Sequence, residues 1–162
     1  MPSFAAKVTA VLYYLVEKGH TDPTKVGVCG ISRGSLAALH WAAVDPRVQA
    51  IAAIAPVTDL LTLREFEGME EHSNTNTLAA VTLAGKLAGR YVWVSIGHHD
   101  VRVGTDHAIA FTRRLVEASI AEGKPARVEL HVIPTEDHRA PANAHQEAAA
   151  WFLSKLGEGP TK

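Results

Sequence analysis

Short apolar runs alternate with segments of helical periodicity along this chain, and this alternation limits the possible folds more than any other feature. Each run has about the four to eight residues typical of a buried strand. The predicted strands are residues 25–31, 48–55, 91–96 and 127–133. The predicted helices are residues 4–18, 35–44, 77–87, 106–122 and 141–156. Because strands separated by helices pair in parallel through right-handed crossovers, we expect an α/β fold with a parallel sheet of about four strands and flanking helices.

The length and composition favour one packed domain. The chain has 162 residues, of which 47% are hydrophobic and 20% are charged, a balance typical of a globular protein. We predict a single domain over residues 1–156 and a flexible C-terminal tail over residues 157–162. Residues 57–76 mix charges with polar residues and predict an irregular excursion between two strands.

The charges and the single cysteine limit the partners and the compartment. The net charge of -1 comes from 16 basic and 17 acidic residues scattered along the chain, so we expect no nucleic-acid partner. No apolar run reaches the roughly 18 residues that a membrane span needs, and no signal segment is apparent. Cys29 is the only cysteine, which excludes an intrachain disulfide and favours a reducing compartment, the cytoplasm. We interpret Cys29 as a small buried hydrophobic residue within its strand.

A serine lies in the turn between the first predicted strand and the helix that follows it. Residues 30–34 read Gly-Ile-Ser-Arg-Gly and match the pattern G-x-S-x-G. In such an elbow the serine hydroxyl is presented at the sheet edge, and the flanking Gly30 and Gly34 let strand and helix approach closely. The alternative is that these glycines only make a tight connection and that Ser32 caps the helix.

An acid and a histidine follow the elbow in chain order, each at the end of a later strand. Asp100 comes just after the third predicted strand, and His138 comes just after the fourth. The carboxyl ends of parallel strands lie at one edge of a sheet, so these residues can converge on one cleft. The order serine, acid, histidine predicts Ser32 as nucleophile, Asp100 as acid and His138 as base.

Other carboxylates near these positions leave the identity of the acid open. Glu136 and Asp137 directly precede His138, and either could replace Asp100. Side chains adjacent in sequence rarely reach the geometry needed, so Asp100 is preferred. Asp106 is a further acid, but its place at the start of a helix favours a capping or helix-dipole role.

Histidines near Asp100 raise the question of a metal site. His98, His99 and His107 lie close to Asp100 and Asp106 in sequence, and imidazole and carboxylate groups are ordinary zinc ligands. Adjacent residues at a strand end point in different directions, and no His-x-x-x-His pair lies on a helix. We therefore predict no metal site, and the sequence indicates no other cofactor.

With these motifs, the chain resembles the C-terminal half of the α/β-hydrolase superfamily, and within it the prolyl-oligopeptidase-like and dienelactone-hydrolase-like serine esterases and peptidases. The resemblance implies that His138 accepts the Ser32 proton during attack on an acyl carbonyl, that Asp100 orients the imidazole, and that an acyl-enzyme follows. It also implies that the backbone N–H of Arg33 binds the oxyanion. The Arg33 side chain could also meet an anionic group, but solvation on the helix surface is the preferred interpretation. The expected activity is a carboxylesterase-like hydrolysis of small acyl esters. A weak or inactive scaffold or interaction module is the alternative, and a prolyl-oligopeptidase-type peptidase is a third possibility.

The resemblance also raises a question about the edge of the sheet. A full α/β-hydrolase has further strands before the helix that precedes the elbow, and one of their loops usually carries a second oxyanion donor. Without them, the strand before Ser32 is an exposed edge. A fragment of a longer protein, a minimal enzyme and an oligomer are all compatible with this pattern. Our expectation is a homodimer in which a second copy covers this edge.

Overall fold

The computed structural model describes residues 2–135 and 137–157, which contain four strands and six α-helices. The strands are β1 (Val26–Ile31), β2 (Val48–Ile54), β3 (Tyr91–Gly97) and β4 (Val128–Ile133). The helices are α1 (Pro2–Glu17), α2 (Arg33–Ala42), α3 (Ser73–Leu78), α4 (Ala84–Leu87), α5 (Thr105–Ala121) and α6 (Ala144–Leu156). Within these residues, no helix has both the length and the apolar character that crossing a membrane requires. The predicted tail lies outside the described residues except for Gly157, so that domain boundary stays a prediction.

The sheet is parallel throughout and has the order β1-β2-β3-β4. Each strand therefore pairs with its successor in sequence, and a connection containing at least one helix joins each pair. The predicted α/β class and the four-stranded parallel sheet are confirmed. Because all strands run the same way, the loops that follow β1, β3 and β4 leave the sheet at the same edge, which is where the predicted site residues lie.

Side-chain alternation along the central strands builds a core on each face of the sheet. Ile51 and Ala53 of β2 belong to the larger cluster, which is completed by buried residues from α1, α2 and α5. Ala52, Ile54 and Trp93 face the other way and pack against α6. Successive side chains of a strand point to opposite faces, so an unbroken apolar run is what a strand covered on both sides requires.

The predicted helix over residues 77–87 is helical in the structure but is not one continuous helix. That region contains the end of α3, a 3₁₀ helix at Ala80–Leu83 and the single turn of α4. The Thr75 hydroxyl donates to the carbonyl of Met69, and the backbone N–H of Ala80 donates to the carbonyl of Thr58. Side-chain and long-range bonds of this kind satisfy the backbone without a continuous helix, so tertiary contacts override the local helical periodicity.

Strand β1 lies at an edge of the sheet. Among the described residues it pairs with β2 alone, and Gly27 and Cys29 are exposed. The expectation that Cys29 is buried is wrong: the residue is exposed, because among the described residues its strand has a neighbour, β2, on one side only. An uncovered strand edge presents unpaired backbone N–H and C=O groups that can template pairing with another chain.

Coverage of the β1 edge by a second copy stays a prediction. We expect light scattering after size-exclusion chromatography to give twice the mass of one chain at micromolar concentration. A charged residue on an edge strand disfavours edge pairing, so Cys29→Lys is expected to shift the protein toward the monomer. A monomeric mass at every concentration tested, with ester turnover intact, contradicts the prediction.

Candidate active site

Ser32 occupies a strained turn between β1 and α2. Its backbone angles are φ 53° and ψ -120°, a region that a non-glycine residue adopts only when its surroundings enforce it. The backbone N–H of Ser32 donates to the carbonyl of Ile54 at 2.9 Å, and the backbone N–H of Val57 donates to the carbonyl of Ser32 at 3.2 Å. The end of the neighbouring strand β2 therefore holds the serine in this conformation.

The two glycines of the elbow differ in the space around their Cα atoms. A Cβ at Gly30 would lie 2.6 Å from the backbone nitrogen of Ser35 and closer still to the carbonyl of Gly34. The Ser35 hydroxyl also donates to the Gly30 carbonyl at 2.6 Å. At Gly34, in contrast, a Cβ would meet no described atom within 4 Å. The expectation that close approach requires a glycine is right for Gly30 and wrong for Gly34.

The imidazole of His138 lies between Ser32 and Asp100. Its Nε2 is 2.9 Å from the Ser32 hydroxyl, and its Nδ1 is 2.8 Å from Oδ2 of Asp100. The Ser32 side chain makes no capping hydrogen bond to α2, although it precedes that helix. The structure therefore brings the three predicted site residues together, and the alternative of Ser32 as a helix cap is wrong.

Asp100 is buried and fully engaged by its surroundings. The residue is 2% exposed, and its Oδ1 accepts the backbone N–H groups of Arg102 at 3.1 Å and Val103 at 3.2 Å. This leaves Oδ2 for His138. A turn that donates two backbone bonds fixes the orientation of the carboxylate, and the carboxylate in turn fixes that of the imidazole.

The other carboxylates considered from the sequence have different surroundings. Asp137 forms an ion pair with Arg139 at 2.8 Å and is half exposed. Asp106 is exposed in the first turn of α5, after the N-cap residue Gly104, so it can act on the helix dipole but is not the cap. Glu136 lies outside the described residues.

The histidines near Asp100 do not gather into a ligand set. His98 and His99 are both exposed, and the His98 ring contacts the carbonyl of Thr135 at 3.0 Å. His107 instead lies 3.6 Å from the Asp59 carboxylate. Over residues 2–135 and 137–157, no three histidine, cysteine, aspartate or glutamate side chains are placed to share a metal ion.

Arg33 lies at the start of α2, directly after Ser32. It is the first residue of α2, where a backbone N–H has no acceptor within the helix. Its guanidinium is hydrogen-bonded to Oε1 of Glu65, and the guanidinium of Arg102 lies 3.8 Å from the same oxygen. The Arg33 side chain is therefore both solvated and paired with a carboxylate. Glu65 and Arg102 were missed in the sequence analysis. No motif in the irregular segment indicates Glu65, whereas Arg102 could have been found because it lies two residues after Asp100.

Comparison with known proteins agrees with this architecture. The model of the prolyl oligopeptidase family matches residues 5–159. A puromycin-hydrolyzing peptidase from Mycobacterium tuberculosis has a TM-score of 0.77 at 17% identity, over 98% of this chain and 26% of that one. An acylaminoacyl peptidase from Pyrococcus horikoshii has a TM-score of 0.73 at 14% identity, over 98% and 28%. An esterase from Pyrococcus furiosus has a TM-score of 0.69 at 16% identity, over 94% and 62%.

These matches identify the family of the chain but not its activity. The chain spans about a quarter of the length of the two peptidases, and at these identities the structural likeness concerns the fold. No curated protein matches the sequence significantly. The family match, in contrast, extends over nearly the whole chain. This chain therefore belongs to the prolyl oligopeptidase family of serine hydrolases, within the α/β-hydrolase superfamily.

Proposed function

We propose that this chain is a serine hydrolase that cleaves small acyl esters, with Ser32 as nucleophile, His138 as base and Asp100 as the acid that orients the base. The single observation that supports this most strongly is the position of the His138 imidazole. It is within hydrogen-bond distance of the Ser32 hydroxyl on one side and of a buried carboxylate on the other. Nucleophile, base and orienting acid in this arrangement are the elements of acyl transfer.

The buried carboxylate determines which nitrogen of His138 carries the proton. An ionised Asp100 can only accept, so Nδ1–H donates to it and Nε2 is left to accept the Ser32 hydroxyl proton. As Ser32 Oγ bonds to the acyl carbon, its proton passes to Nε2. The tetrahedral intermediate then expels the alcohol, which takes that proton, and an acyl-enzyme remains. Water attacks the acyl-enzyme by the same route and releases the acid.

In this mechanism the start of α2 supplies the donor that stabilises the oxyanion. The backbone N–H of Arg33 directly follows the nucleophile and is free of an intrahelical acceptor. The positive end of the helix dipole adds to this stabilisation. One such donor contributes roughly 10²- to 10³-fold to turnover. An ester needs less assistance than an amide because an alcohol leaves more readily than an amine, and this favours esters as substrates.

Peptide hydrolysis is the second candidate. The family carries the name of an oligopeptidase, and two of the similar structures are described as peptidases. The esterase from Pyrococcus furiosus favours the first candidate. Turnover of 4-nitrophenyl acetate and of an acylated peptide 4-nitroanilide in the same sample separates them, and we expect the ester to be the better substrate.

Covalent labelling tests whether Ser32 is an active nucleophile. A fluorophosphonate probe is expected to modify Ser32 in the folded protein, because the His138 imidazole raises the nucleophilicity of its hydroxyl. Mass spectrometry of the digested protein locates the adduct, with heat-denatured protein and Ser32→Ala as controls. If the folded protein is not labelled while a known serine esterase reacts, the inactive scaffold is the correct interpretation.

A further inference from the structure

Two arginines have their backbones next to residues of the proposed triad. Arg33 follows Ser32 directly, and the backbone N–H of Arg102 donates to the Asp100 carboxylate. Their side chains extend to the same oxygen of Glu65. The backbones of both arginines therefore lie next to triad residues, so a ligand held between the two guanidinium groups is within an arginine side chain's length of the nucleophile turn and the acid turn.

The charges of this cluster are unbalanced. Arg33 and Arg102 carry two positive charges, whereas Glu65 supplies one negative charge. The side chains are 59%, 58% and 48% exposed, respectively, so they remain accessible. Each guanidinium has five N–H donors in a fork that suits a carboxylate, and a single glutamate leaves most of these donors unused.

A cavity of about 540 Å³ adjoins the cluster. Its wall includes Glu65 and Arg102, together with a third arginine, Arg64, and apolar surface from the exposed Val101. Its volume lies within the range of about 300–1,000 Å³ typical of small-molecule sites. Apolar surface next to arginine side chains suits a ligand that has a short hydrocarbon chain and a carboxylate at its end.

We propose that Arg33 and Arg102 bind a carboxylate of the substrate, and that the preferred substrates are acyl esters whose acyl chain ends in a carboxylate. Glu65 occupies the position that the substrate carboxylate takes. It lies on a three-residue 3₁₀ helix at Arg64–Phe66 and is half exposed, so it can yield this position to the substrate. This inference rests on the proposed ester hydrolysis and specifies its substrate class.

Matched substrates test the proposal by kinetics. The 4-nitrophenyl monoester of adipic acid and 4-nitrophenyl hexanoate have acyl chains of the same length and differ in the terminal carboxylate. We expect the wild type to show the higher kcat/KM for the adipate ester, mainly through a lower KM. In Arg102→Gln the ratio of the two kcat/KM values is expected to fall about tenfold, since a charge-assisted bond to the carboxylate is lost.

Two further variants make the kinetic result specific. Glu65→Gln removes the competing carboxylate and is expected to raise the same ratio several-fold. Arg114→Gln removes an arginine of similar exposure, 60%, which pairs with Glu117 on α5, and is expected to leave the ratio as in the wild type. The proposal is overturned if Arg102→Gln leaves the ratio unchanged, as Arg114→Gln does, or if Glu65→Gln lowers it. Glu65 then has only a structural role, in which it holds Arg33 and Arg102 together.

A binding measurement separates this proposal from the hydrolysis itself. In Ser32→Ala, monomethyl adipate is expected to shift the Nε–Hε NMR signals of Arg33 and Arg102, and methyl hexanoate is not. Shifts without ester turnover in the wild type support the carboxylate site and contradict the hydrolase. Turnover of the hexanoate ester in the wild type without such shifts supports the hydrolase and overturns the carboxylate site.

Discussion

Ser32→Ala and His138→Ala are each expected to reduce ester turnover by roughly 10⁴- to 10⁶-fold, which is the loss typical when a nucleophile or its base is removed from a triad. Without the Ser32 hydroxyl no acyl-enzyme can form. Without the imidazole, which lies 2.9 Å from that hydroxyl, no group accepts the proton during attack. The measurement is the initial rate of 4-nitrophenyl acetate hydrolysis, with circular dichroism melts to verify that each variant is folded.

Asp100→Asn tests which acid orients His138. The amide of asparagine has the same shape but favours the wrong imidazole tautomer, so a loss of about 10⁴-fold in kcat is expected. Asp137→Asn is the matched control, because Asp137 is also close to His138 in sequence but pairs with Arg139 on the surface. Its loss is expected to stay within about threefold, since an exposed ion pair contributes little. Equal losses in the two variants would contradict the assignment of Asp100.

An effect on both stability and turnover is expected at the elbow glycine Gly30. In Gly30→Ala the new methyl group would lie 2.6 Å from the backbone nitrogen of Ser35, closer than real Cβ atoms approach. Because its neighbours there are backbone atoms, the turn itself must shift. We expect a loss of about 1–3 kcal/mol in the free energy of unfolding, as for other overpacked sites. Turnover is expected to fall about 10²-fold or more, because a shift of about 1 Å in the nucleophile has that effect.

Gly34→Ala provides the contrast within the same motif. Gly34 lies in the first turn of α2, and its Cβ position is open among the described residues. Alanine stabilises a helix by about 0.5–1 kcal/mol relative to glycine, so a modest gain in the free energy of unfolding is expected, with turnover retained. Urea denaturation and ester turnover measure both effects. A Gly34→Ala variant that is as damaged as Gly30→Ala would show that something outside the described residues packs against this position.

Most of the sheet was predictable because its signals are local. Each strand is a short apolar run bounded by turn residues, and burial on both faces requires such a run. The region around residues 77–87 was not predictable in this way. Its backbone bonds to Thr58, in a loop far away in sequence, and no window of helical periodicity contains that information. The exposure of Cys29 could not be predicted for a similar reason, because the burial of a strand residue depends on which strands and helices pack beside that strand.

The sequence by itself determined the alternation of strands and helices, the serine turn after β1, and the order of serine, acid and histidine at successive strand ends. These are properties of short segments and of parallel topology. Only the tertiary structure decided that Asp100, among the candidate acids, directs an oxygen to His138, and that Glu65 meets Arg33 across 32 residues. The physical reason is that such contacts depend on sheet register and on the path of each loop, which fix distances between side chains that the chain order leaves open.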